Sequence, residues 1–183
     1  MSDVIFLNGE RVLLRPLTKN DLTPVYLQWL NDEEVTRFNS HATFPNTQEK
    51  MEAYYNSLQD NNRNVVLAII DKAGNKHIGN VSLQQINWIS KNAEFAILLG
   101  DKEFWGKGVG EEAAMLIVDY GFERLNLHRI YCGTIQGNDG MKKLAKKLFM
   151  TEEGLRRQAI FKNGKYLDII EFGVLREEFK KNK

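Results

Sequence analysis

Cysteine, histidine and proline are all scarce in this chain. Among 183 residues there is one cysteine, Cys132, with three prolines and three histidines. A lone cysteine forms no internal disulfide, and histidines at positions 41, 77 and 128 have no spacing suited to zinc, so neither cross-links nor a metal is expected. Net charge is scarce too: 25 Lys plus Arg against 24 Asp plus Glu leave +1 at pH 7. That balance argues against nucleic acid as a partner, since neutralising a phosphate backbone needs a basic surplus. No apolar run approaches the roughly eighteen residues of a membrane span. The amino-terminal MSDVIFLNGER lacks the basic region and longer apolar stretch of a secretory signal. A cytoplasmic protein with no membrane partner is expected.

What is present suits one globular unit. The chain is 43% hydrophobic and 27% charged, and at this length folding buries roughly 70% of the unfolded surface, enough for a core without staples. The prolines at 16, 24 and 45 all lie in the first quarter, and no repeat or Pro/Gly/Ser linker divides the rest. A single domain over 1–183 is expected.

Apolar periodicity and turn residues place the elements. Arg11 to Arg15 reads as a strand stopped by Pro16, and Thr18-Lys19-Asn20-Asp21 as a capping-box start of a helix to about Leu30. A second helix follows Thr47 as N-cap, with Met51, Tyr54, Tyr55 and Leu58 on one face. Strands are expected at Asn64 to Ile70, Lys76 to about Gln85, Ala93 to Leu99 and His128 to Gln136, then about 155 to 162 and 165 to 175, the last two joined by the hairpin dipeptide Asn163-Gly164. Helices with inward apolar faces are expected after Val109 and from Asn138 to Leu148. The total is about seven strands and about four helices, an α+β arrangement.

The most informative stretch is Phe104-Trp105-Gly106-Lys107-Gly108-Val109-Gly110-Glu111, a glycine loop opening into an amphipathic helix. The first turn of a helix presents unpaired amides and the positive end of its dipole, so such a loop suits a pyrophosphate. Its G-x-G-x-G spacing fits neither a dinucleotide fingerprint nor a Walker A loop. Taken alone, a tight turn before a helix would account for it.

With its surroundings the loop resembles the GNAT superfamily of acetyl-CoA-dependent N-acetyltransferases. The family signature is Q/R-x-x-G-x-G/A, met here by Trp105 through Gly110 with tryptophan at the first position. The W-G-K-G-x-G-x-E-A form is similar to the subgroup that includes ribosomal-protein N-terminal acetyltransferases. Gly9 to Leu17, Asn92-Ala93-Glu94-Phe95, Asn138, Asn163 to Asp168 and Leu175 to Phe179 also resemble that subgroup, so the likeness spans nearly the whole chain. It implies a mixed central sheet whose fourth and fifth strands splay apart around the thioester of acetyl-CoA. It implies pyrophosphate contacts from the backbone amides of Lys107, Gly108, Val109, Gly110 and Glu111, with Trp105 beside them, and pantetheine contacts from the backbone of Phe95, Ala96, Ile97, Leu98 and Leu99 and from Asn138. A homodimer is compatible with it.

The resemblance also implies an amine acceptor, on a protein amino terminus or a small molecule such as an amino-sugar nucleotide or a polyamine. The amine must be neutral to attack, which calls for a base when its pKa lies near 10.4 and less so near 8. Glu94 is the one carboxylate of its strand and the candidate base, the alternatives being an edge-strand charge facing solvent or a partner for Arg11 or Arg129. Met141 stands where a serine is common, and Leu148-Phe149-Met150 where Leu-Gly-Phe is expected, so no general acid is assigned; a non-catalytic acyl-CoA-binding module is the alternative this departure favours. Tyr131 and Cys132 read as packing residues. Lys142, Lys143, Lys146 and Lys147 form a basic face that is either solvated or steers the coenzyme phosphates. Trp29, Asn31, Asp32 and Arg37 are the acceptor-side candidates. No metal is implied.

Overall fold

The computed structural model describes residues 4–59 and 61–183, so the first three residues of the amino-terminal segment lie outside it. In chain order the strands are β1 Leu7–Asn8, β2 Val12–Pro16, β3 Val65–Asp71, β4 Lys76–Asn87, β5 Asn92–Leu99, β6 Arg129–Ile135, β7 Thr151–Lys162 and β8 Lys165–Leu175. The helices are α1 Pro24–Asn31, α2 Gln48–Ser57, α3 Val109–Glu123, α4 Asp139–Lys147 and α5 Arg176–Asn182. The strand and the helix beyond expectation are β1, two residues long, and α5, seven. Both are too short to show a period.

All eight strands form one sheet in the order β1-β2-β3-β4-β5-β6-β8-β7. β1 through β5 pair antiparallel with their sequence neighbours. β6 runs parallel to β5 and antiparallel to β8, and β7 closes the edge as a hairpin with β8. Asn163 and Gly164 both have positive φ, at 50° and 77°, the conformation that a two-residue hairpin turn requires.

The helix expected from Thr18 starts later. Asp21 does accept from the Thr18 amide and hydroxyl, at 2.7 and 2.8 Å, but this box caps only a single 3-10 turn over Lys19–Asp21. Leu22 leaves the helical region, and α1 begins at Pro24 with Thr23 as N-cap. Proline at the first helical position has no amide to leave unsatisfied, which fixes the start there. In α2 the Thr47 cap is as expected, but only Met51 of the four-residue face is fully buried. Tyr54 is 41% exposed.

Side-chain alternation along the sheet separates two cores. α3, α4 and α5 cover one face with Val109, Ala113, Ile117 and Phe122 against Leu83, Phe95 and Ile130. Gly121 allows α3 to approach closely, since a Cβ there would meet Leu83 Cδ1 at 2.7 Å and Ile130 Cδ1 at 2.9 Å. α1 and α2 cover the other face with Tyr26, Trp29, Leu30 and Met51 against Ala68 and Ile70. Beneath α1 lies a buried ion pair, Arg15 Nη1 and Nη2 each 2.7 Å from an Asp21 oxygen.

Candidate active site

The parallel pairing of β5 and β6 covers only Asn92↔Arg129, Ala93↔Ile130 and Glu94↔Tyr131. Beyond it β6 pairs with β8 alone, and residues 95–99 of β5 pair with β4 alone. The sheet therefore parts immediately after Glu94. The strands that part are the two expected to do so, now fifth and sixth because β1 precedes them. A groove of about 770 Å³ fills the gap and runs to the glycine loop.

One wall of the groove is β5 itself, Phe95 through Leu99, and the far end is Trp105, Gly106, Gly108, Gly110 and Glu111. Gly106 and Gly108 take φ of 72° and 78°, and Gly108 is the N-cap of α3. A Cβ at Gly106 would meet no atom within 4 Å, so open space lies against the loop backbone. The Trp105 indole donates to the Leu99 carbonyl at 2.8 Å, tying the loop to the end of β5. The opposite wall includes Gly133, Thr134, Asn138, Met141, Leu144 and the lysines Lys143 and Lys147. A long, partly apolar trough ending at helix-terminal amides and two lysines fits a ligand with an extended arm and a phosphate-bearing end.

Two predicted loop residues do not line the groove. The Val109 side chain is turned into the core, which leaves only its backbone amide toward the loop, and the Lys107 carbonyl accepts from Arg11 Nη1 at 2.7 Å. Arg11 is itself fixed by α3, since its amide donates to Glu112 Oε1 at 3.0 Å and its Nε lies 3.4 Å from Glu112 Oε2. Arg11 was not predicted to hold the loop; a contact 96 residues away leaves no local pattern. Asn138 lines the groove, but its amide is committed to capping α4 through Met141 N at 3.1 Å and to Thr134 Oγ1 at 3.0 Å.

Glu94 sits at the vertex of the parting, half-buried, and accepts from Gln85 Nε2 at 2.7 Å. Burial, and then the charge of nearby Glu171, holds its pKa above the usual glutamate range. The alternative partners are engaged elsewhere, Arg11 with Glu112 and Arg129 with Glu153. Tyr131 stands opposite Glu94 in register, and its hydroxyl pKa is raised by burial and then by Glu94 and Glu171. Cys132 points into the core, where burial pushes its thiol up to about 12.

Glu94, Ala96 and Leu98 fall on the α1–α2 face of β5. There a second cavity of about 370 Å³ lies between the sheet, α1 and α2, with Asn80, Ser82 and Gln84 of β4 in its floor. Ala96, Ile97, Leu98 and Asn39 line both spaces, so the two meet across β5. The loop between α1 and α2 forms the outer wall and is held from three directions. Asn46 Nδ2 donates to the Leu30 and His41 carbonyls, both at 2.9 Å, and Asn31 Oδ1 accepts from Asn46 N at 2.9 Å. Lys102 binds Asp32 and Glu34 at 2.9 and 2.6 Å. Lys162, from the β7–β8 hairpin, donates to the Thr36 and Asn39 carbonyls at 2.9 and 2.6 Å.

Of the four predicted acceptor-side residues, Arg37 alone lines either space, its guanidinium over the Phe38 ring at 4.5 Å. Trp29 is a core residue, packed so closely on Gly100 that a Cβ there would come within 2.0 Å of its ring. Asn31 and Asp32 are spent on the loop clamps just described. Lys143 and Lys147 of the basic helix face the groove, and Lys142 pairs with Asp139 at 2.6 Å.

Comparison with known proteins agrees with this geometry. Residues 11–151 match the family model of the acetyltransferase (GNAT) domain. The chain is 31% identical over 172 residues to spermidine N(1)-acetyltransferase of Escherichia coli (strain K12), covering 94% of this chain and 90% of that one. It is 31% identical over the same length to the uncharacterized N-acetyltransferase p20 of Bacillus licheniformis, covering 93% and 96%. The crystal structure of spermidine N-acetyltransferase from Vibrio cholerae in complex with CoA and spermine superposes with a TM-score of 0.86 at 27% identity, covering 94% of this chain and 99% of that one.

Proposed function

The chain belongs to the GNAT family and is an acetyl-CoA-dependent N-acetyltransferase, and from that premise we propose how its residues divide the work. The groove between the parted strands takes the coenzyme, with the amides of Gly108 to Glu111 toward its phosphates and residues 95–99 along its arm. The cavity beneath the α1–α2 loop admits the amine. When bound, the thioester supplies an activated acetyl group at the vertex. Glu94 takes the proton from the incoming amine, and its raised pKa makes it a stronger base than an ordinary surface glutamate. Transfer is direct, in a complex holding both partners at once. The two spaces adjoin across Ala96–Leu98, and the one thiol, at Cys132, is buried and protonated. Met141 offers the departing thiolate no proton, so the thiolate takes one from solvent once released. The same reading puts the protein in the cytoplasm.

The observation that carries this reading is the end of β5–β6 pairing at Glu94, which opens the groove beside the only carboxylate on that strand. Glu94→Gln tests it. The expected result is a fall in kcat of about 10²–10⁴-fold with stabilisation by acetyl-CoA in thermal unfolding kept. The acid limb of the wild-type pH profile should lie above the ordinary glutamate range and vanish in the variant. An unchanged kcat would remove Glu94 from the reaction. Stabilisation by CoA and acetyl-CoA but not by NAD or ATP is the matching test of the groove.

A further inference from the structure

The chemistry of the smaller cavity says more about the acceptor than its position does. Among the described residues no carboxylate lines it. Its polar lining is amide and hydroxyl, from Asn80, Ser82 and Gln84 in the floor, with the Lys50 ammonium and the His41 ring in the wall. Lys50 is steadied by one bond, 2.8 Å to the Pro45 carbonyl, which leaves it two further donors. Lys162 adds positive charge on the same side, close enough to depress the His41 pKa after the larger effect of burial.

The groove offers a cation no better partner. Among the described residues three carboxylates line it. Glu34 is bound by Lys102 at 2.6 Å and Glu111 by Lys147 at 3.5 Å, and the third is Glu94. Near Glu94, Glu171 is already paired with Arg156. A second or third ammonium carried in with the amine would lose its water and gain no unpaired carboxylate among the described residues, an uncompensated cost. An anionic group on the same molecule would instead meet Lys50 and the side-chain amides.

We infer that the acceptor is a small primary amine that also carries an anionic group, a phosphate or a carboxylate, and is not a polyamine. This rests on the reading that the amine enters through the cavity beneath the α1–α2 loop. The cavity's 370 Å³ suits a small molecule and not an extended peptide. In this respect the chain departs from its spermidine-acetylating relatives, with which it shares less than a third of its residues.

The test supplies glucosamine 6-phosphate, aspartate, spermidine, putrescine and a short peptide with a free amino terminus to the wild-type protein. It reads free-thiol release from acetyl-CoA and the added thermal stabilisation of the CoA-loaded protein. Glucosamine 6-phosphate and aspartate separate the two anion sources, and better binding and turnover of either one over spermidine is expected. Lys50→Glu should then raise the KM of that amine roughly tenfold, the loss of one favourable charge contact, with the shift produced by CoA alone kept. Preference for spermidine or for the peptide, or no discrimination among them, overturns the inference while the groove assignment stands. Absence of any shift with CoA or acetyl-CoA overturns the groove assignment, and the inference with it.

Discussion

The two faces of the sheet are built from different materials. Under α3 the packing is apolar throughout, with Phe122, Ile117 and Phe95 fully enclosed. Under α1 and α2 it is mixed, with the Arg15–Asp21 pair, His77 and Asn80 set among Tyr26, Trp29 and Leu30. His77 Nε2 lies 2.9 Å from Asn80 Oδ1 and its ring packs edge-on against Tyr26 and Trp29. The first face supports the groove, where the proposed function has the coenzyme held through backbone amides and glycines, and backbone geometry needs only a rigid support. The second supports the cavity to which the proposed function assigns the amine, and discrimination there would depend on polar side chains oriented by other polar side chains. Apolar packing gives rigidity; hydrogen-bonded networks give direction, at a cost when any member is lost.

Substitutions that probe each face should respond differently. Phe122→Ala removes an enclosed ring that packs on Phe179, and should cost about 3–5 kcal/mol in urea unfolding by an amount independent of pH. Asp21→Ala takes the carboxylate from buried Arg15 and should cost about 3 kcal/mol, with a pH signature that the first lacks. Asp21 is held below the ordinary aspartate range because bonds from Arg15 and Thr18 outweigh its burial. Its contribution is therefore present above that range and lost as pH falls through the depressed value, so wild type and variant should converge in acid. A pH-independent gap between them would mean that the pair is not what stabilises this face.

Smaller effects are expected where each face meets its ligand. Arg11→Met releases the Lys107 carbonyl and should weaken CoA binding about fivefold, near 1 kcal/mol, by titration calorimetry, with acceptor KM unchanged. Lys162→Met releases the Thr36 and Asn39 carbonyls and should raise acceptor KM about threefold, the modest scale of exposed charge contacts, with CoA affinity unchanged and partial recovery in Lys162→Arg. If Arg11→Met altered acceptor KM instead, the division between the faces would fail.

Reading along the chain finds what is local. The glycine loop, the Thr47 cap, the Asn163-Gly164 turn and the six longer strands after residue 60 each carry their signal within a few residues, and the structure has them where expected. Family membership follows from the same stretches. What the sequence conceals is contact at long separation. Trp29 reads as a residue of the acceptor side until Gly100 is seen to receive its ring. Asp21 reads as a helix cap, but it also binds Arg15 across the end of β2, while Pro24 sets the helix start. The roles of Arg11 and Lys162 are not visible in the sequence, because each acts on carbonyls brought near only by the finished fold.

The short pairing of β5 with β6 has one more consequence. Past Glu94 the centre of the sheet contains two inner edges, with backbone donors and acceptors that no strand satisfies. Most proteins shorten, charge or cover such edges at the outside of a sheet; this one keeps them inside, along the groove. Amides of residues 95–99 that point away from β4 should then exchange with deuterium as freely as a terminal strand in the empty protein, and slow down once the groove is filled. On the proposed function, the arm of the bound coenzyme would take the place of the missing strand.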